Sequence, residues 1–105
     1  MDEINYSILD LLHLLKSEHG EKLEIRVGLA PILVIKDKDF EIEGPPVTET
    51  GAKSLFHKIA ETRQVRDFRQ RGIAEFIYTF ENARFRVRAI KEFGYVQLDF
   101  HSVAA

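Results

Sequence analysis

The chain has no cysteine, and only one methionine and three prolines among its 105 residues. Without thiols there is no disulfide framework and no cysteine-based zinc site, a pattern that fits a reducing compartment. No apolar run approaches the roughly 20 residues that cross a bilayer. The opening Met1-Asp2-Glu3 is acidic and unlike a signal peptide, so a cytoplasmic protein without membrane insertion is expected. A surplus of charge is missing too: 15 basic against 17 acidic residues leave a formal charge of −2. That balance gives no general attraction to nucleic acid or to anionic membranes. The length suits one domain, residues 1–105, with its own core, and is too short to add an ATPase.

What is present is patterned. Ile4, Ile8, Leu11, Leu12 and Leu15 fall on one helical stripe, and Gly20 is placed as its stop. Leu9 and Leu14 widen the apolar arc, as in a helix lying deep against a sheet. Residues 23–27 alternate as a half-buried strand. Gly28 to Pro31 interrupts, Ile32 to Ile35 makes the next strand, Lys36 to Asp39 a polar turn, and residues 40–42 an edge strand. Gly44-Pro45-Pro46 must leave the sheet, because proline cannot donate to a ladder. Thr48 is positioned to cap a second helix carrying Ala52, Leu55, Phe56 and Ile59, and Thr62 a third ending at Gly72. Arg63, Arg66 and Arg69 line the outer side of that third helix.

Three alternating segments follow, residues 74–80, 84–92 and 95–101. A two-residue turn at Glu81-Asn82 pairs Tyr78 with Phe85 and Phe76 with Val87 inside, and Glu75 with Arg88 outside. A second turn at Phe93-Gly94 sets Arg88 opposite Asp99. The result is a charge row, Glu75–Arg88–Asp99, whose neighbours contribute roughly 0.2–1 kcal/mol each. Helices and antiparallel strands segregate in the order α-βββ-αα-βββ, which defines an α+β fold with about six strands.

Catalytic chemistry finds little support. Gly51-Ala52-Lys53-Ser54 imitates a phosphate loop, but glycine and lysine are not adjacent and the earlier loop glycine is missing. His13, His19, His57 and His101 show no metal-binding spacing, and Ser7, Ser54 and Ser102 no nucleophile-elbow context. Asp37 and Asp39 sit in a charged turn. No catalytic, metal or cofactor ligand set is expected. Nucleic-acid binding through the arginines is disfavoured by overall acidity and by the interleaved Glu75 and Asp99.

Four pieces in register carry a family likeness: Gly28-Leu29-Ala30-Pro31, Gly44-Pro45-Pro46-Val47-Thr48, Glu75-Phe76-Ile77-Tyr78 and Arg84-Phe85-Arg86-Val87. From Leu11 to about Val103 the chain resembles the N-terminal domain of PilT-type pilus retraction and type II secretion ATPases. No ATPase domain accompanies it in this sequence. The resemblance implies a PAS-like sheet with helices on one face. It also implies that arginines at the positions of Arg84 and Arg86 approach nucleotide held by an adjoining motor domain. Where the family carries a S-D-L-H-L stretch, this chain has Glu21-Lys22-Leu23-Glu24-Ile25: apolar positions kept, polar ones changed. The second proline usual in G-x-x-P is Ala30.

Three functions follow from the likeness. One is a non-catalytic binding or assembly module whose protein partner is itself or a pilus or secretion ATPase. Another is a severed piece of such an ATPase, active only with its motor domain, whose linker would begin near Val103. The third, a PAS-like small-molecule sensor, lacks a cofactor ligand, and bulky aromatics occupy its inner positions. The residues expected to make contacts are Arg84, Arg86 and Arg88, with apolar Ile32, Val34 and Ile77 on the nominal solvent face of the sheet. The first helix is the expected cover for those apolar positions, and a second copy of the chain the next.

Overall fold

The structure, a computed structural model, describes residues 6–103. Its elements run α1 (Ile8–Ser17), β1 (Lys22–Ile25), β2 (Ile32–Ile35), β3 (Lys38–Glu41), α2 (Glu49–Ile59), α3 (Thr62–Arg71), β4 (Ile73–Phe80), β5 (Ala83–Glu92) and β6 (Tyr95–Ser102). The six strands form one antiparallel sheet in the order β3-β2-β1-β6-β5-β4. The expected α+β order is observed. Ile4 lies outside the described residues.

Alternation along the strands divides the sheet into two faces. Phe76, Val87, Phe100, Leu23, Leu33 and Phe40 make one inner row across all six strands. Against the inner face pack Ile8, Leu11, Leu12 and Leu15 of α1 and Ala52, Leu55, Phe56 and Ile59 of α2. Phe56, Phe85 and Phe100 are fully buried and fill this core. Phe56 also meets Phe68 of α3, with ring centroids 5.1 Å apart.

Each helix start has a local cause. Ser7 accepts from the Asp10 N–H at 3.3 Å, and Thr48 from the Gly51 N–H at 2.9 Å. At α3 the cap is Glu61 rather than Thr62, because Gln64 reaches back to accept the Glu61 N–H at 2.7 Å. Gly72 ends α3 in the left-handed region, as expected. Gly20 does not serve α1 that way. His19 takes the positive φ of 54°, and Gly20 is needed for space: a Cβ there would lie 2.7 Å from Leu15 Cδ1.

Both meander turns fall where the sequence puts them. Glu81-Asn82 and Phe93-Gly94 have positive φ at both residues, as does Lys36-Asp37 between β2 and β3. Paired positive φ values match the right-handed twist of the strands they join. The two loop motifs are partners of each other. The Gly28 N–H donates to Val47 O and the Val47 N–H to Leu29 O, both at 2.8 Å. Tyr6 closes the same region, its hydroxyl donating to the Pro45 carbonyl above Gly44.

Candidate interaction face

The outer face of the sheet collects every residue expected to make contacts. Two cross-strand rows describe it. One runs Ile77–Arg86–His101–Lys22–Val34–Asp39 and the other Glu75–Arg88–Asp99–Glu24–Ile32–Glu41, each crossing all six strands. Arg84 stands beside the first row, opposite Thr79. Arg84, Arg86 and Arg88 are exposed along β5, since their neighbours Phe85 and Val87 occupy the inner face.

The expected cover for the apolar positions is not found. α1 packs on the inner face with Leu33, on the opposite side from Ile32 and Val34. Nor do the three apolar residues form one patch. Ile32 and Val34 sit on β2 and Ile77 on β4, four strand spacings or about 19 Å away. Ile77 is 46% exposed, whereas Ile32 and Val34 are half-buried by their neighbours.

The expected charge row is present in register but not in pairing. Arg88 Nε meets Glu75 Oε2 at 3.3 Å, as expected. Asp99 turns instead to Arg26, whose Nη2 lies 2.9 Å from its Oδ1. That contact is an ion pair without hydrogen-bond alignment. Arg26 Nη1 donates to the carbonyls of Ile25 and Leu98 at 3.1 and 3.3 Å, which fixes the guanidinium over the β1–β6 seam. Lys22 pairs with Glu24 on the same strand at 2.9 Å. Among the described residues Arg84 and Arg86 have no acidic partner within ion-pair distance. Arg86 has His101 as its cross-strand neighbour, and Lys22 is the next residue along the row. The sequence did not single out Lys22, His101 or Arg26, because their adjacency comes from the β1–β6 pairing, which joins segments more than 70 residues apart.

The imitation of a phosphate loop lies inside α2. The Gly51 and Ala52 N–H groups are taken by Thr48 Oγ1 and Thr48 O at 2.9 Å each, and both residues are buried. Lys53 instead borders a surface cleft of about 280 Å³ between α2, α3 and the β5–β6 hairpin, over Phe56, Val65 and Phe68. Among the described residues there is no cluster of three or more potential metal-ligating His, Asp or Glu side chains, and no helix long and apolar enough to cross a membrane.

An open six-stranded antiparallel sheet with three helices on one face defines an α+β domain. Its fold is found within known ATPases. A crystal structure of the pilus retraction motor PilT with bound ADP matches at a TM-score of 0.85 and 17% identity, over 98% of this chain. The ATPase DotB of Legionella pneumophila matches at 0.80 and 14% over the whole chain, and that of Yersinia pseudotuberculosis at 0.75 and 10% over 98%. The chain spans only 30%, 31% and 33% of those proteins respectively. No family model and no curated protein matches the sequence.

Proposed function

We propose that the chain is a non-catalytic binding module that docks through its outer sheet face on a pilus or secretion ATPase, in the cytoplasm. The observation that carries this is the contrast among its arginines. Arg26 and Arg88 are answered by carboxylates, while Arg84 and Arg86 stand exposed without one, free to meet an anionic group on a partner. The shared fold with PilT and DotB supplies the class of partner. The test is size-exclusion chromatography with light scattering, with the chain alone and mixed with its host's retraction or secretion ATPase. A mixed complex should form, and changing Arg84 and Arg86 to alanine should weaken it by about 2 kcal/mol or more, as truncating an interface hot spot does. A loss well under 1 kcal/mol would mark both as solvated side chains.

A second reading has support in the coverage, since nearly all of this chain matches about 30% of PilT. In that reading the chain is a severed domain of such an ATPase, working only with its motor. Adding it to the isolated motor domain should then raise ATP hydrolysis, and no change in rate would count against it.

A further inference from the structure

The outer face is charged asymmetrically, and the asymmetry is in register. In one row Asp39 on β3 shares its level with Arg86 on β5, and in the next Glu41 shares its level with Arg88. Acids and arginines are therefore two residues apart on both strands, four strand spacings or about 19 Å from one another. All four side chains are exposed. β1 lies midway between them.

A two-fold axis parallel to the strands and passing over β1 keeps every row at its own level while exchanging β3 with β5. We propose that this face pairs with a second copy of the chain, Asp39 and Glu41 of each copy meeting Arg86 and Arg88 of the other. One geometry satisfies both charge pairs twice, as an isologous contact requires. On the axis itself, Lys22 faces Lys22 and Glu24 faces Glu24 of the other copy, and each lysine is neutralised by Glu24 of its own strand, 2.9 Å away. Ile32 and Val34, which no helix of their own chain covers, lie inside the contact. The Glu75–Arg88 pair is no obstacle, because an exposed ion pair is weak.

This proposal rests on the docking reading in one respect only. Arg86 would serve both contacts, so self-pairing and ATPase docking would exclude each other. The pairing itself can be tested without any ATPase.

The experiment uses two charge-reversed variants of the full chain, Asp39→Lys with Glu41→Lys, and Arg86→Glu with Arg88→Glu. Sedimentation equilibrium on the unaltered chain should show a closed dimer weakened by added salt. Each variant alone should dimerise at least about tenfold more weakly, the scale of one well-placed interfacial charge pair. Mixed one to one, the variants should recover a dimer, because both contacts regain opposite signs. That recovery also shows that both variants are folded. A monomeric unaltered chain, variants that dimerise as well as it does, a mixture that stays monomeric, or growth beyond a dimer would each overturn the proposal.

Discussion

Arg26 Nη2 lies 2.9 Å from Asp99 Oδ1 and ties the end of β1 to the middle of β6. Both side chains are mostly shielded, 25% and 17% exposed, and the Arg26 guanidinium also holds the carbonyls of Ile25 and Leu98. Removing it leaves a shielded carboxylate unanswered. We expect Arg26→Ala to lower unfolding free energy by about 2 kcal/mol in urea titration. Arg88→Ala should cost under about 0.5 kcal/mol, because its pair with Glu75 is half exposed to water on both sides. Equal losses would contradict this account of the seam.

Tyr6 makes the fold sensitive to alkali. Burial raises its hydroxyl pKa above the ordinary 10.0, and the protonated form donates to the Pro45 carbonyl. A pKa raised on folding adds stability that is complete below the unfolded value and is lost as pH rises through the folded one. Stability should therefore fall above about pH 10, with the 44–46 loop releasing its contact. Tyr6→Phe should cost about 1 kcal/mol at neutral pH and flatten that alkaline slope. A slope unchanged by the substitution would assign it to other groups.

Phe93 occupies the first position of the β5–β6 turn with φ of 53° and is 87% exposed. An aromatic residue gains nothing from burial there and pays for the left-handed backbone. Asparagine tolerates that conformation and would create an Asn-Gly turn. Phe93→Asn should raise stability by about 0.5–1 kcal/mol, read as a higher melting temperature. An unchanged or lower temperature would mean that Phe93 contributes something the turn geometry does not reveal.

Local rules make the meander legible in the sequence itself. Period-two alternation and two-residue turns fix a hairpin register without reference to the rest of the chain. Tyr78 therefore faces Phe85, and Glu75 faces Arg88, as expected. The capping signals at Thr48 and Gly72 worked for the same reason. Non-local packing was not legible. Nothing near Arg26 in sequence announces Asp99, so Asp99 was matched with Arg88, its true cross-strand neighbour but not its ion-pair partner. The side on which α1 packs is likewise decided by the inner row of Leu23, Leu33 and Phe100, and the covering of Ile32 and Val34 by α1 was the wrong expectation. Gly20 looked like a helix stop because glycine serves that role so often; only the position of Leu15 reveals that the limit is space.

All three helices lie on one side of the sheet, and this separates two kinds of constraint. Substitutions among the inner residues are judged by folding, since Leu23, Val87, Leu98 and Phe100 have no accessible surface at all. Those at Arg84, Arg86, Asp39 and Glu41 disturb no buried group and can be exchanged at little expense to the fold. Mutation can therefore rewrite the chemistry of the outer face without renegotiating how the chain folds. A slab with one finished side and one open side is free to change the charge pattern of its open side by drift there alone.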